Sequence, residues 1–228
     1  MRLAILILLC AASACIAQPE PPPTPILWIG AQGGIDVGKF YNSTSGFTPP
    51  SDRRVGAAGG LSFEFWFSTE SKLGVATEFL YLQKGADVSY AGIEQSTEFS
   101  YFAIPLMIKF SSPISKIRPY VQTGIQCGVF QQGTITTDMG DELLIQHVSD
   151  DEVEKINMSI VVGAGISYDL SRSVRIFLSG LFDFGLSNLN PDRGDGEDKI
   201  YTLDNRLTVG IAFGIPTRPS LDADVLTD

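Results

Sequence analysis

The chain has 228 residues, of which 44% are hydrophobic and 18% charged, with 26 acidic against 16 basic side chains and a formal net charge of −10. That balance argues against nucleic acid as a partner and suits a surface repelled by soluble polyanions. After the first residues no stretch approaches about eighteen consecutive apolar positions, which excludes a transmembrane helix.

Residues 1–17 read as an export signal. Arg2 is a short positive n-region, Leu3 to Leu9 are uninterruptedly apolar, and Cys15-Ile16-Ala17 ends in an alanine suited to cleavage before Gln18. In a second reading, Ala12-Ser13-Ala14-Cys15 loosely resembles a lipoprotein cleavage box with Cys15 acylated. Cys10 and Cys15 both lie in this region, so cleavage after Ala17 leaves Cys127 alone and an internal disulfide impossible. Cys127 falls on an apolar strand face, where a small buried hydrophobe is the simplest reading. Residues 18–25 are Pro-rich and should be extended outside any sheet interior.

From there the chain repeats one pattern: segments alternating apolar and polar, separated by turn-rich stretches. Eight strands are expected near Ile26–Gly38, Ala57–Phe67, Leu73–Gln83, Phe99–Phe110, Pro119–Phe130, Met158–Asp169, Val174–Leu186 and Arg206–Ile215. Each is long enough to cross a hydrocarbon core when tilted. The connections alternate in length. Lys39–Gly56, Lys84–Glu98, Gln131–Asn157 and Ser187–Asn205 are long, whereas Ser68–Lys72, Ser111–Arg118 and Leu170–Ser173 are shorter. Bacterial barrels have this rhythm, with short periplasmic turns and longer outer loops. The expected fold is therefore all-β: an eight-stranded antiparallel up-and-down transmembrane β-barrel over residues 26–215, with both termini periplasmic. Residues 216–228 form a C-terminal periplasmic tail.

Parity assigns the faces. Leu61, Phe63, Phe65 and Phe67 oppose Gly60, Ser62, Glu64 and Trp66; Phe102, Ile104, Leu106, Ile108 and Phe110 oppose Tyr101, Ala103, Pro105, Met107 and Lys109. A soluble lipocalin-like barrel binding an apolar ligand would have the same period inverted. Two features favour the membrane. Strand glycines such as Gly30, Gly60, Gly124, Gly165 and Gly210 share the polar face, where a narrow lumen needs small residues. Aromatics on the apolar face gather near strand ends. Phe65, Phe67, Phe110, Tyr168 and Phe213 would form a periplasmic girdle, and Phe79, Tyr81, Phe102, Phe182 and Phe184 an outer one.

Several ordered motifs carry a resemblance. Phe79-Leu80-Tyr81-Leu82-Gln83-Lys84-Gly85 is followed by Tyr101-Phe102-Ala103-Ile104-Pro105-Leu106-Met107-Ile108-Lys109-Phe110, then Pro119-Tyr120-Val121, Gly163-Ala164-Gly165-Ile166, Gly185-Leu186-Ser187-Asn188 and Asn205-Arg206-Leu207-Thr208-Val209-Gly210-Ile211. Together they resemble the PorT-like outer-membrane β-barrel family. Ala103 stands where that family usually has an acidic residue, and the chain continues past Phe213 instead of ending on an aromatic. The resemblance implies fold and outer-membrane location; the namesake's link to secretion does not transfer on fold alone.

Seven ionisable residues fall on the expected inward face: Asp36, Glu64, Glu78, Lys109, Arg175, Asp183 and Arg206. In a narrow interior they must be paired or hydrated. Arg206 should reach Asp183 and Asp36, and Glu64 should meet Lys109 and Arg175. A salt-bridged plug is the simplest consequence, because eight strands leave room only for side chains; a narrow proton or ion path is the alternative. Asp192, Asp195, Glu197 and Asp198 partly match a calcium loop and could also bridge lipopolysaccharide through a divalent cation, although a solvated acidic loop is the simpler reading. His147, the sole histidine, has no histidine or cysteine partner for a metal. No catalytic set and no cofactor motif stands out. The expected protein is a non-enzymatic barrel whose partners are outer-membrane lipid and lipopolysaccharide and envelope or secretion proteins. It would act structurally or through its outer loops, with a narrow transporter or secretion accessory as the alternative.

Overall fold

The structure, a computed structural model, describes residues 26–42, 51–67, 72–90, 93–112, 116–138, 143–148, 155–187 and 200–215. The export signal, the Pro-rich segment, the tail and the acidic run Asp192–Asp198 lie outside these residues. Nine strands follow in order: β1 (Leu27–Asn42), β2 (Ser51–Trp66), β3 (Leu73–Tyr90), β4 (Ile93–Ser111), β5 (Ile117–Asp138), β6 (Leu143–Val148), β7 (Ile156–Asp169), β8 (Val174–Gly185) and β9 (Ile200–Ile215). Each of β1 to β5 pairs antiparallel with the next, β5 pairs with β7, β7 with β8, β8 with β9, and β9 returns to β1. Eight strands thus close a ring, and β6 lies outside it, paired with the far end of β5. Closure leaves the ring no free edge, which is the condition for crossing hydrocarbon with strands.

The alternation decides which way the ring faces. Along β4, Phe102, Ile104, Leu106 and Ile108 are about half exposed, while Tyr101, Ala103, Pro105 and Met107 are buried. Leu61, Phe65, Phe79, Ile125, Val162, Leu178 and Val209 repeat the exposed set around the ring. The greasy face therefore points outward, opposite to a lipocalin. Cys127 is exposed on that same outward face, so it looks toward lipid and not into a protein core. The expected aromatic sets fall at opposite ends: Phe110 stands opposite Leu73 beside the β2–β3 turn, whereas Phe102 pairs with Val129 toward the far end.

The interior is less polar than the glycine count suggests. Trp28, Trp66, Phe177 and Ala212 form one buried cluster, and Ala76, Met107, Val161 and Leu181 form another. Gly165 shows why glycine is needed beside them. A Cβ there would collide with the ring of Tyr120, which lies over it. Pro105 sits inside β4 with no N–H to give to β3; the ladder is continuous from Leu73 to Thr77 and resumes at Leu80. The Thr77 hydroxyl donates to the Pro105 carbonyl at 2.9 Å.

Most strands extend past the expected boundaries, chiefly at one end. β3 and β4 stay paired out to Tyr90 and Ile93, and β4 and β5 to Glu94 and Asp138. Segments expected as the long connections Lys84–Glu98 and Gln131–Asn157 are largely sheet. The physical reason is that beyond the hydrocarbon neither face has to be apolar, so the alternation fades although the ladder continues.

Candidate functional site: the ionic lumen and the outer sheet

At the end with the short turns, Glu64 on β2 accepts a hydrogen bond from the Lys109 ammonium on β4. The Arg175 Nη1 of β8 lies 3.6 Å from the other Glu64 oxygen. Arg175 Nε also donates to Asp169 at 2.7 Å, and Arg118 Nε donates to the same carboxylate at 2.6 Å. Aromatic rings roof these cations: Lys109 Nζ is 3.6 Å from the Tyr120 ring centroid, and the Arg175 guanidinium 3.9 Å from that of Trp28. Such contacts contribute roughly 0.5–2 kcal/mol each, more when desolvated. The expected meeting of Glu64 with Lys109 and Arg175 is thus what the structure contains.

Farther along the lumen the arrangement differs from expectation. Asp183 is held by Lys84, whose ammonium lies 2.9 Å from Asp183 Oδ2 on β8 and 2.6 Å from Asp204 Oδ2 on β9. Arg206 reaches Glu78 at 3.7 Å and donates to Gln126 Oε1 at 3.2 Å. Gln126 in turn donates to Asp183 at 2.5 Å, so the Arg206–Asp183 link runs through an amide. Asp36 stands opposite Arg206 in the β1–β9 register, and its Oδ1 has no hydrogen-bond partner among the described residues. Lys84 and Asp204 were missed because both fell just beyond the expected strand ends. The missing signal was parity: Lys84 continues the inward series Leu80, Leu82, and Asp204 precedes Arg206 by two.

This outer cluster sets two buried cations, Lys84 and Arg206, against four buried carboxylates, Asp36, Glu78, Asp183 and Asp204. Tyr101, Phe130 and Phe99 close over that end in edge-to-face contacts of 5.8 and 5.9 Å. Between the ionic layers, Glu64, Glu78, Lys109, Gln122 and Ser179 line a cavity of about 10 Å³, room for roughly one water molecule. Among the described residues no group of three or more His, Cys, Asp or Glu could hold a metal ion. The candidate cation loop Asp192, Asp195, Glu197 and Asp198 lies outside them.

Beyond the mouth, β3, β4, β5 and β6 continue as a sheet. Its outermost strand, β6, is exposed along nearly its whole length, His147 included. Only Val148 is partly buried, against the Phe99–Phe130 cluster. On the neighbouring strands Arg54 pairs with Asp87 at 3.1 Å and Glu98 at 2.8 Å.

A closed antiparallel ring with an apolar exterior and a side-chain-filled interior defines an outer-membrane β-barrel. The chain belongs to the outer membrane protein β-barrel domain family, whose model matches residues 16–190, and its place is accordingly the bacterial outer membrane. The match stops before β9, the strand that closes the ring. The structure is similar to the outer membrane protein OprG from Pseudomonas aeruginosa, with a TM-score of 0.55, 13% identity, 88% of this chain covered and 100% of that one. Neisserial surface protein A aligns with a TM-score of 0.49 at 13% identity, over 83% of this chain and 97% of that one. The Escherichia coli outer membrane protein W aligns with a TM-score of 0.49 at 15% identity, over 84% and 98%. At such identities the likeness concerns the fold. No curated protein matches the chain in sequence.

Proposed function

We propose that this protein is a non-enzymatic outer-membrane barrel with a closed lumen, which acts on its surroundings through the sheet that rises beyond its outer mouth. One observation carries the reading: the interior is occupied while the outer sheet is bare. Trp28, Leu80, Leu82, Tyr101 and Met107 are at most 1% exposed inside the ring, and ion pairs cross the lumen between them. Leu143 and Ile145, by contrast, are 60% exposed on β6. The seven inward ionisable residues, joined by Lys84 and Asp204, act as a plug that fixes register and blocks flow. The short turns face the periplasm together with both termini, the signal at residues 1–17 is removed on export, and residues 216–228 remain as a periplasmic tail.

The test is recording from the purified full-length protein in planar bilayers. No resolved single-channel events above leak are expected; well-resolved channels would replace the plug by a narrow transporter. Attachment of cells to a host or abiotic surface, with and without the outer hairpins, tests the surface role. The likeness of Phe79–Gly85 and Tyr101–Phe110 to PorT-like barrels supports a finer link with secretion machinery, which co-purification with envelope proteins would test. A calcium titration tests divalent bridging by Asp192, Asp195, Glu197 and Asp198 to lipopolysaccharide, by heat and by shift of melting.

A further inference from the structure

The three short turns are built alike. Each leads into a strand whose first residue is aliphatic and stands opposite an outward aromatic: Leu73↔Phe110, Ile117↔Tyr168 and Val174↔Phe213. Val174 is half-buried and the other five side chains are exposed. These pairs mark where the hydrocarbon ends, because aromatic side chains gather at that level of a barrel wall. In every case the ladder takes one more step. The Ser111 N–H donates to the Lys72 carbonyl at 2.8 Å, the Asp169 N–H to that of Lys116 at 2.9 Å, and the Gly214 N–H to that of Ser173 at 2.9 Å. A cation stands at or beside each of these steps: Lys72, Lys116 and Arg172, all exposed. The ring therefore fixes the height at which the three charges leave the wall.

Among the described residues none of the three has an ion pair, and the acids of that end, Glu64 and Asp169, are held by Lys109, Arg118 and Arg175. Glu70 is the one acid in the sequence of the three turns. A chain of net charge −10 thus carries a basic rim at its short-turn end. What lies against the rim follows from the wall it continues. The apolar pairs one step away face acyl chains, so the next layer is the headgroups with their phosphates. Lysine and arginine at that level keep their stems on apolar surface and their charged heads in the polar layer. Successive short turns are two strands apart around the ring, roughly 10 Å from the strand spacing. Cations so spread along a circumference meet one phosphate each, which suits the ring of lipids around the wall and not a single compact anion.

We propose that Lys72, Lys116 and Arg172 form a collar that binds the phosphates of phospholipids in the leaflet at the short-turn end and prefers anionic headgroups to zwitterionic ones. Arg172 can hold a phosphate through two parallel N–H groups, whereas the two lysines act as point charges. The collar goes beyond the surface role of the outer sheet and does not depend on it.

The experiment uses the full chain in phosphatidylcholine vesicles that contain a trace of spin-labelled lipid, either phosphatidylglycerol or phosphatidylcholine. Electron spin resonance separates lipid held at the protein wall from free lipid and so gives the relative association of the two. Phosphatidylglycerol should associate about two- to fivefold more strongly, and less so in added salt. The triple variant Lys72→Gln, Lys116→Gln, Arg172→Gln should lose most of this preference. Each single change should lose part of it, and Arg172→Lys should keep it. Retained heat-modifiable gel mobility shows that a variant still forms the barrel; the single changes carry the test if the triple variant does not. Equal association of the two lipids with the natural protein, or a preference that survives the glutamine changes, would overturn the proposal. So would inorganic phosphate displacing the labelled lipid better than chloride at equal ionic strength, which would make the ligand a soluble anion.

Discussion

Lys84 sits at the centre of the outer lumen, and its removal should expose how the ionic layers act. Lys84→Met keeps much of the side-chain volume but leaves Asp183 and Asp204 facing each other without their shared cation. Breaking a buried pair in this way costs about 3–5 kcal/mol, because the remaining charge stays desolvated. Urea unfolding in vesicles should show a loss of that order. Adding Asp204→Asn should recover part of it, since one of the two orphaned charges is removed. A silent Lys84→Met would mean that water already hydrates the cluster. Gly165 makes a separate test of lumen packing. Gly165→Val must push the Tyr120 ring off the backbone it covers. The displaced ring would leave Lys109, whose ammonium it roofs at 3.6 Å. A destabilisation of about 1–3 kcal/mol is expected from this overpacking, together with a changed near-ultraviolet signal from the tyrosine. Retention of that signal would show that the ring can move without leaving its cation.

Within a single strand, depth decides what a charge does. Leu106→Arg on β4 puts a cation on the lipid face near the middle of the wall and should cost about 2–4 kcal/mol in a lipid refolding assay. Leu143→Arg on β6 should leave refolding unchanged, because that strand stands beyond the ring. Equal effects would contradict the placement of β6. The same contrast explains what could be read in advance. Wherever lipid lies on one side, the alternation is strict, and the strands around Phe63, Ile104 and Val209 could be placed from the sequence alone. Seven inward charges followed from the same parity. Lys84 and Asp204 did not, because the alternation weakens where the wall leaves hydrocarbon, and the strand ends were drawn at that weakening. β6 was invisible for a related reason: it is a short edge with side chains exposed on both faces, so no periodicity marks it. The partner choices were harder still. Arg206 can reach several carboxylates across a narrow lumen, and only the register sets Glu78 and Gln126 beside it.

Taken as a whole, the described strands form a cylinder filled with side chains, and a sheet rises from it over β3 to β6. The closed ring predicts a compact unboiled band and a slower boiled band on a detergent gel. A single mobility before and after heating would argue against closure. Lys84→Met should convert to the slow form at a lower temperature than the natural protein. The cross-lumen bridge also has a bearing on how the molecule is made. Lys84 belongs to the third strand, but its two carboxylates belong to the eighth and ninth, 99 and 120 residues later. While the wall is still an open curl, that ammonium lacks both of the carboxylates it hydrogen-bonds and must keep its water. Dehydrating the bore and sealing the seam between first and last strands therefore become one late event. An intermediate short of its final strand should remain wet at its heart, and so be recognisable to assembly factors as unfinished.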